Sequence, residues 1–502
     1  MAHVFTRRGL LGLLGSGAAG AVLAACGGAA TPTPAPAKPT DSLKPAAAAP
    51  TTAPAAAPAQ APAAAATKPA AAPTTAPTTA PAAAATKPAA ETTKPAAAAP
   101  AAGKGKQAVR YTMFGHPNIA EPMVAKFNET HDDVQVQFER SEGQGYQEKL
   151  SAALAGGNAW DAFRYSVNPL LRFGPKGTIV DLKPLLNDDR TYPANLYLDG
   201  LLDVFTVGGK LYGLPAWCLT MWLYYNKKLL DEAGVKYPTP DTTYEQYVEM
   251  VQKLTKRDGN TITQYGANGW GSWTLPVAQD VRSAGGCFYY DQNLTKICVD
   301  DANTVKALQD EAELMNVHKV HPSPLSPPTT PVSLLSKKVA TQLDGDWYTA
   351  DHLKEWSDDF DATLTPLRNG KRTNVYQPDP LVINSQSKVQ EAAYKWISWF
   401  SADPDSWALQ GAVVFPTTKR EYDDPKLRAT WLKPPRPPTL IQLAPEHAKN
   451  AVFWKVEPHA AEFESKIYYA EIDKLWRNKA SAKEVAATIT QKGNELLAKP
   501  VD

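Results

Sequence analysis

An α/β fold with doubly wound sheets, divided into two lobes, is predicted by three features of the sequence. Strand-like and helix-like stretches alternate from residue 109 onward. The part rich in large apolar side chains runs to roughly 395 residues, more than one hydrophobic core serves, so size alone implies two lobes. Ahead of it, residues 27–106 are dominated by Ala, Pro and Thr and hold no aromatic side chain, so they stand outside any core.

Residues 109–114 read as a strand. Residues 117–130 follow as a helix with Ile119, Met123, Val124 and Phe127 on one face, and residues 134–138 alternate strictly as a second strand. A helix over 146–154 leads through Gly156-Gly157-Asn158 to a third strand at 160–165. Open sheets that begin in this βαβαβ manner bind ligands in the crevice beyond the carboxyl ends of their strands. The loops Gly115-His116 and Ser166-Val167-Asn168 are therefore placed for contact.

The first 26 residues form an address rather than a structural element. Arg7 and Arg8 precede an uncharged stretch, 9–25, too short to anchor in a bilayer, and Leu23-Ala24-Ala25-Cys26 closes it. Residues 1–25 are expected to be a signal peptide. Arg7-Arg8 resembles the twin-arginine (Tat) export signal, and the segment ending in Cys26 resembles a lipobox, whose cysteine is lipidated; an ordinary secretory signal with a chance cysteine is the other reading. Residues 26–107 then comprise the lipidated cysteine and a disordered stalk, in which the decapeptide of residues 62–71 recurs at 81–90. Extended at about 3.1 Å per residue, such a stalk could reach on the order of 200 Å.

Lys and Arg number 52 against 51 Asp and Glu, for a net charge of +1, which leaves no electrostatic footprint for nucleic acid. Beyond Cys26 there are three cysteines, Cys218, Cys287 and Cys298. Cys218 reads as a small core residue. The segment 288–297 reads as a hairpin about a two-residue Gln292-Asn293 turn, which places Cys287 opposite Cys298 and leaves two readings, a cross-strand disulfide or two buried thiols. Phosphate-loop, zinc-protease, Cys-x-x-Cys and Gly-x-Ser-x-Gly patterns are absent, so no catalytic residue, cofactor or metal is expected. His318 and His321 could share a helix face, but Pro322 ends that helix and no carboxylate completes a ligand set. Asp358, Asp359 and Asp361 read as a solvated turn, lacking the Gly and terminal Glu of a calcium loop.

Residues 208–215 (GGKLYGLP), 223–235 (LYYNKKLLDEAGV) and 237–255 (YPTPDTTYEQYVEMVQKLT), with KFNETHDDVQVQFE and YQEKLSAALAGGNAWDAF upstream, form the first part of an ordered series. GTIVDLKPLL, SAGGCFYYDQN, KKVATQLDGDW, SKVQEAAYKWISWFSADPDSW, VVFPTTK and a terminal helix over SAKEVAATITQKGNELL belong to it as well. The series, spanning 108–499, resembles the extracellular solute-binding proteins, family 1, the lipoproteins that serve carbohydrate ABC importers and are similar to maltodextrin-binding protein. The resemblance implies a two-lobed periplasmic-binding-protein fold of type II with the ligand cleft between lobes. It implies lobe 1 from 108–216 and 367–435, lobe 2 from 217–366 and 436–502, and hinges marked by Pro215 and Pro366. It further implies a monomer, lipid-anchored through Cys26 on the outer face of the cytoplasmic membrane, that delivers a sugar or oligosaccharide to permease subunits and does no catalysis.

Sugars present flat C–H faces and a fringe of hydroxyls, which aromatic faces and carboxylates or amides match. The resemblance puts Trp217, Trp222, Trp270, Trp273 and Trp347 in or beside cleft loops, with Trp347 of Asp344-Gly345-Asp346-Trp347 at the sugar-stacking position and Asp346 beside it. Similar proteins put a stacking aromatic and a carboxylate after the third strand, where this chain has Tyr165 and Asn168. Asp161 is a turn-holding or ligand-facing residue, and Phe114, Glu142 and Phe415 are further cleft candidates. Two alternatives stand beside sugar capture: a surface glycan lyase or hydrolase, and the same fold binding a polyamine, a glycerophosphodiester or an iron chelate.

Overall fold

The computed structural model describes residues 105–114, 117–141, 145–271, 273–324, 332–348, 359–410, 414–434 and 436–501. Arg7, Arg8, Cys26, the Ala/Pro/Thr stretch, the Gly115-His116 loop, Glu142 and Asp358 lie outside the described residues.

β1 (Gln107–Met113) pairs in parallel with β2 (Val134–Arg140) along its whole length and with β3 (Ala162–Arg164), and the helices Pro117–Thr130 and Tyr146–Ala155 connect them. Alternation along β2 sends Val134 and Val136 inward and leaves Gln135 and Gln137 half exposed. A short hairpin of β4 (Thr206–Val207) and β5 (Lys210–Leu211) precedes β6 (Leu214–Leu219). A single residue, Thr220, separates β6 from β7 (Met221–Asn226), and there the chain changes sheet.

β7 belongs to a five-stranded sheet ordered β11-β7-β10-β9-β8, with β8 (Lys256–Asp258), β9 (Thr261–Asn268), β10 (Val339–Gly345) and β11 (Phe360–Thr363). β12 (Asn374–Ile383) returns to the first sheet, whose order is β13-β12-β3-β1-β2 with β6 also on β12. It takes three partners in turn: β13 (Ala451–Phe453) beside Asn374–Tyr376, β6 beside Gln377–Leu381, and β3 beside Leu381–Ile383. Two helices start with capping boxes, Thr243–Gln246 and Ser481–Glu484. Among the described residues no helix is long and apolar enough to cross a membrane.

The sheets are exchanged at Thr220 and at Asn374, several residues beyond the expected hinges at Pro215 and Pro366. Pro215 sits inside β6 opposite Pro380, next to a register shift at Asp379, so the missing N–H groups cost no ladder bond there. Leu367 and Arg368, just past Pro366, remain fixed to the second sheet's helices. Tyr244 N donates to Leu367 O at 2.9 Å. Arg368 Nε and Nη2 grip both oxygens of Asp280 at 2.8 and 2.6 Å, and its Nη1 reaches Asp310 at 2.6 Å.

Cys287 and Cys298 form a disulfide with Cα atoms 5.7 Å apart, and Cys218 is free and buried. The loop between the bonded cysteines is wider than the hairpin expected at Gln292-Asn293. A single bridge joins Tyr290 to Ile297, and the Asp291 carboxylate accepts from Thr295 N at 2.7 Å and Lys296 N at 3.1 Å. Asp361 is no solvated turn residue: it is buried in β11 and accepts from Thr439 N at 3.2 Å and Thr439 Oγ1 at 2.7 Å. His318 and His321 follow the helix Ala302–Asn316 instead of sharing its face.

Candidate functional site

The turn after β10 is built around Gly345. A Cβ there would lie 2.0 Å from the Trp347 ring, so only glycine lets the indole fold back across the strand end. The Tyr224 hydroxyl donates to Gly345 O at 3.0 Å and holds the strand end from β7. Trp347, half-buried, faces the half-buried Trp273 at 5.7 Å between ring centroids and 58° between planes. Trp273 stands at the N-cap of the helix Thr274–Ser283 with extended backbone, which leaves its ring outside the helix. The result is a pair of indoles, each buried on one side and open on another.

Beside them lies a rim that the sequence reading missed. Tyr469 is 43% exposed, with its hydroxyl beside Thr274, the residue after Trp273. Glu464 is the first residue of a single π-helical turn, Glu464–Tyr468, a backbone form that concentrates at functional sites. Asn168 Nδ2 donates to Glu464 Oε2 at 2.7 Å, bringing the helix Val167–Phe173 after β3 against the C-terminal helices. Burial pushes the Glu464 carboxyl up to about 7 even though Asn168 favours its ionised form, and the Tyr289 hydroxyl faces it without meeting hydrogen-bond geometry. Asn168, in the first turn of the helix after the third strand, thus has a carboxylate partner from a segment near the other end of the fold. No local pattern marks Glu464; the Tyr468-Tyr469 pair behind it is the only signal the sequence carries.

The structure withdraws several other candidates. Trp217, Trp222, Trp270, Tyr165, Phe415 and Asp346 are wholly buried. Trp217 Nε1 donates to Asp379 Oδ2 at 3.1 Å, and Asp379 is ion-paired with Arg164, so all three knit β3, β6 and β12 together. Trp222 is stacked between Phe415, at 5.9 Å, and His447, at 4.8 Å, where burial holds the imidazole down to about 3 and hence neutral. Trp270 Nε1 donates to the Tyr247 hydroxyl at 3.0 Å inside the core. Tyr165 packs edge-on against Phe163. Asp161 accepts from Arg110 N at 2.8 Å and Ser387 Oγ at 2.6 Å, the turn-holding alternative. Phe114 is half-buried beneath the Arg164 guanidinium, 3.9 Å from its ring centroid.

Asp346 is tied to the crossover. Thr220 N donates to Asp346 Oδ1 at 3.1 Å and Asp346 N to Thr220 O at 3.2 Å. Burial pushes the Asp346 carboxyl up to about 7 against the opposing pull of Arg436. Among the described residues, no group of three or more His, Cys, Asp or Glu converges as a metal site.

The sequence profile described as bacterial extracellular solute-binding protein matches residues 122–435. An arabinooligosaccharide-binding protein of Halalkalibacterium halodurans is 25% identical over 208 residues, 41% of this chain and 44% of its own length, so the chain spans less than half of that curated relative. An uncharacterised lipoprotein of Streptomyces antibioticus is 23% identical over 334 residues, 61% of this chain and 68% of its own. In fold, the chain superposes on the ABC substrate-binding protein Lmo0181 of Listeria monocytogenes, solved with cycloalternan, with a TM-score of 0.69 at 21% identity over 79% of this chain and all of that one.

Proposed function

Because the chain belongs to the bacterial extracellular solute-binding proteins, we propose that its folded region captures a sugar or oligosaccharide between its two lobes and presents it to the permease of an ABC importer. The observation that carries this reading is the Trp273–Trp347 pair with the Asn168–Glu464 contact beside it. Open indole faces suit the C–H faces of a pyranose or furanose, and a carboxylate with an amide suits its hydroxyls. Relatives named for arabinooligosaccharide, maltotriose and lactose support the same ligand class.

The two sheets exchange strands only at short connections, a build that suits rotation of one lobe on the other. A ligand touching both lobes stabilises the closed arrangement by its differential affinity, and the permease reads the closed shape. The protein acts as a receptor and performs no turnover. Arg7-Arg8 directs export, Cys26 carries the lipid, and residues 26–107 form the tether that holds a monomer at the outer face of the cytoplasmic membrane. A lipoprotein among the relatives supports the anchor. The lobes comprise 108–216 with 367–435 and 217–366 with 436–502, adjusted to the sheet exchanges at Thr220 and Asn374 and to β13, which belongs to the first sheet.

Calorimetry against arabino-oligosaccharides, maltodextrins and chito-oligosaccharides, with small-angle scattering, tests the proposal. At least one saccharide binds and reduces the radius of gyration. Absence of binding across the panel, or product release from any glycan, would overturn it.

A further inference from the structure

Three passages of the chain converge on one buried carboxylate. Thr220, the sole residue between β6 and β7, is fully buried; its N–H donates to Asp346 Oδ1 at 3.1 Å and its hydroxyl donates to Val375 O, at the start of β12, at 2.8 Å. Arg436 faces Asp346 from the third passage, where the chain enters the helix Pro438–Lys449 that packs on β11. That guanidinium is itself held, with Nη2 donating to Val414 O at 2.8 Å and its carbon 4.8 Å over the Phe415 ring. Asp346 Oδ2 is buried without a hydrogen-bond partner among the described residues. The next residue is Trp347.

We propose that Asp346 is a positioning residue that ties the sugar-facing Trp347 to both strand exchanges between the sheets and to the Arg436 segment, so that ligand contact at the indole is felt at the pivot about which the lobes turn. The proposal rests on the sugar-capture reading for its ligand but not for its mechanics. A turn held to Thr220 by both its backbone N–H and its side chain cannot swing without moving Thr220, and a one-residue connection has no slack to absorb that movement. The Thr220 hydroxyl passes the displacement to β12. Two hydrogen bonds between the same two residues, one through the side chain and one through the backbone, are shielded from competing water, which makes the junction stiff. Burial explains why an acid unsuited to touching a ligand stands beside the ligand-facing residue.

Three measurements on the full chain test this: amide exchange of peptides covering 218–222, small-angle scattering without ligand, and calorimetry with whichever panel sugar the unaltered protein binds. Asp346→Ala raises exchange at Thr220 at least tenfold, broadens the scattering envelope and weakens sugar binding about tenfold. Asp346→Asn, which keeps an acceptor for Thr220 N, restores most of all three. A folded Asp346→Ala protein with unchanged exchange and scattering overturns the proposal. If that variant fails to fold, Thr220→Val, which cuts the link to Val375 at constant volume, carries the test and must loosen the envelope. A protein that binds no sugar sinks the functional reading alone, since exchange and scattering still decide the pivot.

Discussion

Removing the Arg368 guanidinium should destabilise the protein more than any change at the sugar site. Arg368 is 5% exposed, bonds both oxygens of Asp280 and one of Asp310, and lies 3.3 Å from the Tyr244 ring centroid. Glu311, fully buried and raised well above the usual carboxylate range by burial and by Asp280, sits in the same cluster. Arg368→Met keeps the volume but leaves these carboxylates without their shared cation, a loss of about 3–5 kcal/mol for a broken buried pair. Unfolding entropy near 2.1 cal/mol/K per residue over roughly 395 residues is about 0.8 kcal/mol/K, so a loss of ~4 kcal/mol lowers Tm by about 5 °C. The deficit has a pH signature. Asp310 keeps Lys306 at 2.8 Å, but Asp280 and Glu311 lose their cation, and acids left buried without one bind protons more tightly folded than unfolded, so the stability they contribute is present at low pH and lost as pH rises through their folded values. Differential scanning calorimetry from pH 4.5 to 8 should show the Tm gap between variant and wild type widening with pH. A variant melting within about 1 °C of wild type at pH 7, or a gap that narrows as pH rises, refutes the reasoning.

Other outcomes follow from the same structure. Trp347→Ala should weaken sugar binding by about 2 kcal/mol, some thirtyfold in Kd, with Tm nearly unchanged, whereas Trp270→Ala, which removes a core side chain and its bond to Tyr247, should cost about 3–5 kcal/mol of stability; calorimetry and thermal melts separate the two. Sugar affinity should fall as pH drops from 8 to 6, because the Glu464 carboxyl, pushed up to about 7, loses acceptor capacity on protonation, and Glu464→Gln should flatten the profile. Closing a loop with a sequence separation of 11, the Cys287–Cys298 bond should contribute about 3 kcal/mol, so reductant should lower Tm. Thiol titration of denatured, unreduced Cys26→Ala protein should find one thiol, from Cys218, and three would contradict the bond.

Local patterns were readable and long-range neighbours were not. The helix Pro117–Thr130 and the strands around 109 and 134 follow from spacing alone, since each face is fixed by residues a turn or a pleat apart. Whether a tryptophan faces solvent depends on segments hundreds of residues away. Trp222 is covered by Phe415 and His447, and Trp217 by Asp379 and Phe400, none of which its own neighbourhood announces. Trp273 and Trp347 escape burial because one caps a helix and the other folds over a glycine. The Gln292-Asn293 turn was misplaced because the Asp291 side chain captures the N–H groups that a tighter hairpin would have spent on its partner strand. Glu464 has no local signature because its partner, Asn168, lies 296 residues away along the chain.

The three successive partners of β12 bear on how the protein is made. The first sheet begins at Gln107 and its outer strand ends at Phe453, so that sheet stays incomplete until roughly 350 further residues have followed its first strand. At about 5–20 residues per second, β1 and β2 wait tens of seconds for the strands that cover their neighbours. Pairings of such sequence separation are slow to form. Completion of the first sheet therefore lags far behind synthesis of β1 and β2, and a cell must shelter these early strands until Ala451–Phe453 is made.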